Sequence, residues 1–372
     1  MLGALRPSAA PFGSTKTSQQ QSWWKNPSTI VELFRGSEGH RLICDWYRII
    51  DAAFGIESQD VQLQKRFGQL YGEFSSERPK ASEQGLWLRC RVQVQDDVAV
   101  RLVTFTASEA VDVVAFLVDL YHDRGYIELQ AGEPGWRSLG VVGTARPLLT
   151  ARSTHVLVDA TQRWQPLIAT CAMNWVMRMQ RDWLFFHAAS VGIDGSGVMI
   201  TGKKGAGKTT LSMALAVAGH DFLGDEIAAL RSRTLELAPF RRAVAIRTGR
   251  QAHRVEELLK DGSFSTETFP DGTTRTRAEA SKLFPRPVAQ SLPLRSVFFL
   301  RNFETTPRAD RFLPSTADLH QLTPMPGTMR GASCGQQIME MAKLLSSVHC
   351  YYLYPGSPEA TARLVEEIVR TE

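Results

Sequence analysis

The sequence predicts an α/β protein in two parts, an α+β N-terminal domain over 28–160 and an α/β domain over 161–372 organised around a phosphate loop. Three observations carry that prediction. The octapeptide Gly202-Lys203-Lys204-Gly205-Ala206-Gly207-Lys208-Thr209 fits the phosphate-loop pattern G-x-x-x-x-G-K-[ST]. Its flanks read as a short buried strand, Val198–Thr201, and a helix with Leu211, Leu215 and Ala218 at helical spacing and Gly219 at its stop. An acidic pair, Asp225-Glu226, sits in the middle of the next apolar run, read as a strand over Asp221–Leu230.

Composition sets the broad class. The 372 residues are long enough for two cores, and 43% hydrophobic with 22% charged residues is ordinary for a globular protein. The net charge of +5 is scattered, which suits an anionic ligand and gives no nucleic-acid groove. The 5 cysteines form no C-x-x-C pair, which fits a reducing cytoplasm and argues against a structural zinc or a disulfide framework. No apolar run reaches the length of a membrane span and the N-terminus lacks an apolar signal core, so a cytoplasmic protein with no membrane partner is expected.

In chain order, residues 1–27 are Ser-, Thr-, Gln- and Pro-rich and read as a disordered tail. Ile30–Phe54 reads as largely helical, with Leu33, Leu42, Trp46 and Ile49–Ile50 buried. Strands follow at Leu86–Val94, Val98–Thr106, Tyr126–Leu129 and His155–Val158, with an apolar helix over Ser108–Tyr121 between them. Trp164–Gln180 reads as an amphipathic helix opening the second domain. Leu184–Ile193 and Gly197–Thr201 read as strands joined across the favoured hairpin turn Asp194-Gly195. Later elements are a strand at Ser296–Arg301, a helix at Gln336–Leu345, a strand at Tyr351–Tyr354 and a helix at Pro358–Val369 capped by Ser357. The polar segment Gly262–Arg277 reads as a mobile loop.

The loop's chemistry follows from its residue types. Glycines let backbone N–H groups turn toward phosphate oxygens, and the helix N-terminus adds partial positive charge. Residues 202–209 with Thr210 form the expected nucleotide cradle; Lys208 neutralises β/γ-phosphates and the Thr209 hydroxyl ligates Mg²⁺. Two adjacent carboxylates in an apolar strand are costly unless a cation meets them, and a bend or bulge could bring both to one site. That favours Asp225 and Glu226 as metal and nucleophile handlers over a solvated turn. His187, among Phe and Ala, is by itself more typical of a core histidine than of a catalyst. Arg241, Arg242 and Arg247 suit phosphate binding and equally suit a plain surface.

Taken together, "HAASV" at His187, the glycine loop and "GHDFLGDEIAAL" resemble the catalytic domain of the HPr kinase/phosphorylase family, over about Trp164 to Glu372. "APFRRAVAIRTG" and "SVFFLRNF" are more weakly similar to later family segments. The resemblance implies a mixed sheet of the HPr-kinase and PEP-carboxykinase type and an ATP- and Mg²⁺-dependent serine or hydroxyl kinase. It implies Glu226 as general base, Asp225 beside it on metal or base, Thr209 on the metal, Lys208 on phosphate, and His187 supporting the reacting phosphate region. There are departures. The second acidic residue is Glu rather than Asp, and Ala245 stands where a glutamate metal ligand is expected. The N-terminal half does not resemble the regulatory half of the bacterial HPr enzyme, which points away from HPr. Divergent relatives include lasso-peptide and free-serine kinases, so a peptide or protein hydroxyl is the expected acceptor and free serine the alternative. A homo-oligomer is compatible with the sequence. A nucleotide-gated binding module is the competing class. A motor or transporter ATPase lacks its L-S-G-G-Q signature here, and a GTPase its N-K-x-D.

Overall fold

The computed structural model describes residues 23–35, 43–79, 85–95, 98–109, 126–130, 132–141, 143–144, 146–160, 164–248, 263–268, 272–288, 290–319 and 333–372, with 117, 259, 322 and 325 singly. The chain divides into two units, Met1–Phe67 with Ser75–Met179, and Gly68–Phe74 with Gln180–Glu372. The expected boundary at 161 lies one helix ahead of this division.

The first unit begins with a helical turn at 23–25 and α1 (Pro27–Arg35). Trp23 is buried with Phe34, Val100, Leu102, Trp136 and Leu157, so the end of the stretch read as a disordered tail is held by its tryptophan. The remainder of that tail, 1–22, lies outside the described residues. The helix expected over Ile30–Phe54 is corrected: after α1 the chain forms an antiparallel hairpin, β1 (Ile43–Ile49) with β2 (Ala52–Ser58). Trp46, Tyr47 and Ile49 are buried there, whereas Leu33 is exposed, Ile50 is half-buried at the hairpin turn with φ 57, and Leu42 is outside the described residues. The physical reason is that aromatic and β-branched residues pack against cross-strand neighbours better than along a helix.

The unit continues through α2 (Val61–Tyr71), whose last turn belongs to the second unit, to β3 (Ser75–Ser76), β4 (Leu86–Gln93) and β5 (Val100–Ala107). It then runs through β6 (Tyr126–Leu129), β7 (Arg137–Val141), β8 (Leu149–Arg152), β9 (His155–Asp159) and α3 (Trp164–Met179). The strands form one sheet in the order β3-β1-β2-β4-β5-β9-β8-β7-β6, antiparallel except for β2 with β4. The helix α3 packs on β2 and β4, with Trp175 against Phe105. Of the helix expected over Ser108–Tyr121, only Ser108, Glu109 and Leu117 are described, the first two in a bend.

The second unit opens with β10 (Trp183–Phe186), β11 (Ala189–Ile193) and β12 (Ser196–Thr201), followed by α4 (Lys208–Val217). The single strand expected over Leu184–Ile193 is broken at 187–188. Asp194 and Gly195, at φ 49 and 82, make the two-residue turn between β11 and β12. Next come β13 (Asp221–Gly224), β14 (Ala228–Arg231), β15 (Glu236–Ala238), β16 (Val244–Thr248), β17 (Ser263–Thr268), β18 (Thr274–Ala278) and α5 (Ala280–Leu283). The unit closes with β19 (Leu292–Leu300), β20 (Arg308–Phe312), α6 (Thr316–Leu319), α7 (Cys334–Ser346), β21 (His349–Tyr354) and α8 (Pro358–Thr371), the last capped by Ser357.

The main sheet runs β10-β14-β15-β19-β12-β11-β13, with β21 on β19 and β20 on β21. It is mixed: β12, β19 and β21 are mutually parallel neighbours and the remaining pairs are antiparallel. Alternation along these strands feeds two cores. Val198, Ile200, Phe298, Leu300 and Leu353 meet Leu211 and Leu215 of α4 and Val365 and Val369 of α8. Met199, Val297, Phe299 and Cys350 face the other way, onto Met341, Leu344 and Leu345 of α7. Each such fully buried side chain contributes about 2 kcal/mol. A helix-flanked mixed sheet is an α/β architecture, and it presents the end of β12 and the start of α4 on a rigid base.

The mobile loop expected over Gly262–Arg277 is corrected too. Residues 263–268 and 274–278 are β17 and β18, and with β16 they form a separate three-stranded sheet in the order β16-β18-β17.

Candidate functional site

Between Thr201 and Lys208 the chain turns on glycines: Gly202, Gly205 and Gly207 have φ of 154, 85 and 100. Gly207 is the N-cap of α4 in a left-handed conformation, and a Cβ there would also lie 3.4 Å from the Phe303 ring. The unsatisfied N–H groups of the first turn of α4 therefore open onto the loop. Lys203, Lys204 and Gly205 are exposed, while Ala206, Thr209 and Thr210 are half-buried. Lys208 is buried, and its Nζ donates to the carbonyls of Gly202 at 2.8 Å and Lys203 at 3.3 Å. Burial pushes its pKa below the ordinary amine value, and the Glu226 carboxylate opposes that.

The acidic pair is placed by a second close approach. At Gly224 a Cβ would meet the Phe240 carbonyl at 2.8 Å and that of Ile227 at 3.1 Å. Phe240 N–H donates to the Leu223 carbonyl at 2.7 Å, so the chain after β15 lies directly against this turn. The run expected as one strand, Asp221–Leu230, is accordingly two, β13 and β14, with Asp225 and Glu226 in the bend between them. Released from strand alternation, the two carboxylates take different environments.

Asp225 is buried, 4% exposed. Burial, reinforced by the Glu226 charge, pushes its carboxyl up to about 7, while Arg242, the Ala245 backbone N–H and the Thr209 hydroxyl act the other way. Its Oδ1 has no hydrogen-bond partner among the described residues. Glu226 is 43% exposed at its side chain and pairs with Arg242 at 3.2 Å. That guanidinium, with smaller help from His187, Arg277 and Arg275, holds the Glu226 carboxyl below the usual range against its desolvation.

His187 stands in the bend after β10 rather than on the strand expected beside the loop. Its Nδ1 is 3.2 Å from the Glu226 carbonyl oxygen. A carbonyl only accepts, so that bond places a proton on Nδ1 and leaves Nε2 as the acceptor of the neutral ring. Partial desolvation of the exposed ring, then the Lys208 charge, push its pKa below the ordinary imidazole value.

The three arginines expected near the acidic strand separate in role. Arg241 is buried and binds the Arg286 and Phe284 carbonyls at 2.6 and 2.5 Å and Glu73 at 2.9 Å, so it fastens the scaffold. Arg242 faces Glu226, with its guanidinium 5.8 Å from the centre of the Tyr71 ring. Arg247 lies on β16 opposite Arg275. Sequence reasoning missed Arg275 and Arg277, which sit in the segment read as a loop, and Tyr71 and Phe303. The alternation T-R-T-R over 274–277 was the signal for the first two; Tyr71 and Phe303 had none.

Among the described residues no group of three or more His, Cys, Asp or Glu side chains could hold a metal. The donor set that exists is oxygen only: the Thr209 hydroxyl and the Asp225 carboxylate with its unpartnered Oδ1. Hard oxygen ligands with vacancies for water and phosphate suit Mg²⁺. Ala245 supplies a backbone N–H to Asp225 and no second carboxylate. The glycine cradle and Lys208 likewise fit a polyphosphate.

Fold and site thus define an α/β protein in which strand, glycine loop and helix converge on an acidic pair set against arginines. No family model matches the chain, and no curated protein matches it. Among solved structures it is similar to the Hpr(Ser) kinase/phosphatase from Coxiella burnetii, at 18% identity and a TM-score of 0.26, over 50% of this chain and 94% of that one. The functional reading therefore stands on this chain's own residues.

Proposed function

We propose that the second unit is an ATP- and Mg²⁺-dependent kinase that transfers the γ-phosphoryl group to a hydroxyl, a serine of a peptide or protein first, with free serine as the alternative acceptor. The observation that carries this reading is the Asp225 carboxylate, buried beside the Thr209 hydroxyl with one oxygen unpartnered, at the foot of a glycine loop. A buried charge of that kind is costly until a cation meets it.

Bound Mg·ATP supplies the phosphoryl group and neutralises its charge. Residues 202–210 would hold the phosphates through backbone N–H groups and the Lys208 ammonium, which here is bonded to the Gly202 and Lys203 carbonyls. Thr209 and Asp225 would hold the metal. Glu226 is ionised at neutral pH because Arg242 stabilises it, and it takes the proton of the acceptor hydroxyl. His187 fixes the Glu226 backbone through Nδ1 and offers Nε2 to the reacting region.

A second reading, a nucleotide-gated binding module with slow hydrolysis at most, is favoured by Ala245, which leaves the site one side-chain carboxylate for metal. Incubation with ATP and host extract, followed by phosphosite mass spectrometry, separates the two. The kinase reading expects sites that vanish with Lys208→Ala and fall by about 10²-fold or more with Glu226→Gln. Intact ATP binding with no differential site would leave the module.

A further inference from the structure

The small sheet β16-β18-β17 has two unlike faces. Val244, Ile246 and Ala278 turn inward and pack with Met213, Phe222 and Phe284. The alternate positions carry arginines. Arg247 lies directly across from Arg275, Arg277 lies across from Ala245 and two residues along from Arg275, and Glu267 flanks Arg275 on the far strand. Like charges directly opposite on paired strands cost stability. Mutual repulsion with Arg247 and Arg277, after burial, lowers the Arg275 pKa, and Glu267 at 3.5 Å offsets it only in part. The sheet abuts the acidic bend: the Ala245 N–H of β16 supports Asp225, Arg277 is paired with Ala245, and Arg242, two residues before β16, grips Glu226 at 3.2 Å. Arg242, Arg277 and Arg275 all favour the ionised Glu226 carboxylate, and Arg247 and Glu267 flank Arg275 on the strands either side. Guanidinium forks in register, two residues apart on one strand, match carboxylate and phosphate oxygens.

We propose that this arginine ladder is an acceptor-docking site: the substrate carries a carboxylate or phosphoryl group near its reacting hydroxyl, held by Arg275 and Arg277 with Arg247 beside them, which sets the hydroxyl at Glu226. The proposal rests on the kinase reading and names the substrate class that reading left open. An anion held here also screens Arg275 from Arg247 and Arg277, so binding the correct acceptor relieves repulsion that a neutral acceptor leaves in place.

The test uses the full chain and three fluorescent serine peptides of equal length, flanked by Asp, by phosphoserine or by Asn. Binding is read by anisotropy with a non-hydrolysable ATP analogue present, and transfer is read separately with ATP. Wild type is expected to bind the Asp or phosphoserine peptide about tenfold or more tightly than the Asn peptide. Arg275→Gln/Arg277→Gln abolishes that preference, while affinity for the ATP analogue stays unchanged. Arg275→Lys/Arg277→Lys, which keeps charge and loses the fork, retains part of it and guards against a folding defect in the Gln pair. A preference for phosphoserine over Asp identifies the phosphoryl group as the anchor; equal binding identifies a general anion. Equal binding of all three peptides to wild type overturns the proposal. So does loss of analogue affinity in the Gln pair with peptide binding intact, since the ladder would then serve the nucleotide. Anion preference in binding with no transfer to any peptide leaves the docking site standing and removes the kinase reading.

Discussion

Arg241→Ala should destabilise the platform under the site, although its neighbour Arg242 can be replaced without that penalty. Arg241 is 6% exposed and its guanidinium meets three oxygens, the carbonyls of Phe284 and Arg286 and the Glu73 carboxylate. Removing one partner of a buried, hydrogen-bonded pair costs about 3–5 kcal/mol, because the other charge is left without its cation. For a unit of this size that lowers the melting temperature by roughly 6–20 °C. The deficit should depend on pH with a defined sign. Burial holds the folded-state pKa of Glu73 above its ordinary value, and Arg241 pulls it back. A raised carboxylate favours the folded state less as pH climbs through and above its ordinary value, and without Arg241 that loss deepens. The deficit of Arg241→Ala is therefore smaller at pH 4.5 and larger at pH 7. Urea titration of the full chain, read by hydrogen-exchange protection of β12 and β19 peptides, measures it inside this unit. A deficit below about 1 kcal/mol at pH 7, or one that is larger in acid, would refute the clamp.

Two further outcomes follow from the site. Arg242→Gln should leave β12 and β19 protection near wild type, cut transfer by about 10²-fold, and move the acid limb of its pH profile upward, since Glu226 then loses what keeps it ionised; an unmoved acid limb would separate Glu226 from the proton transfer. Phe303 is 63% exposed beside Gly207, where under the proposed function its ring would stack on the nucleotide. Phe303→Ala should weaken binding of a fluorescent ATP analogue by about 1–3 kcal/mol, and unchanged affinity would reduce the ring to a cover for the loop.

What the sequence made legible was whatever local geometry alone dictates. The glycine loop could be read because positive φ at Gly205 and Gly207 admits few other residues, and the Asp194-Gly195 turn because its backbone conformation is equally selective. The helix placed over Ile30–Phe54 failed because Trp46, Tyr47 and Ile49 are as apolar on a helical wheel as on a strand, and only cross-strand pairing with Phe54 and Ala52 decides between them. The 263–278 segment failed for the opposite reason. Ser, Thr, Glu and Arg alternate with one another, so neither face of β17 shows an apolar period, and the strands exist because Ala278 and β16 pack on α4 and β13 residues remote in sequence. The site shares that limit. His187, Lys208 and the acidic pair are found by motif, whereas Tyr71, Arg275 and Arg277 reach Glu226 or its arginine only through tertiary pairing.

The two neighbouring carboxylates show why the bend after Gly224 matters more than the acidic pair as such. Were Asp225 and Glu226 in a continuous strand they would point to opposite faces. In the bend that alternation is lifted, and their surroundings drive them apart: burial pushes Asp225 up to about 7, and Arg242 holds Glu226 below its ordinary value. Pairs of acids separated in this way divide their roles. The residue that gains most from an arriving cation is the buried one, and the residue already ionised is the one free to accept a proton. Ala245 completes that division. Its backbone N–H supports Asp225 without adding a second negative charge, and on the adjacent strand Arg277 stands directly opposite it. A glutamate at 245 would sit across from Arg277 and neutralise part of the ladder, so under the proposed function the alanine that leaves the metal one carboxylate fewer would also keep the arginine face open to an anionic acceptor.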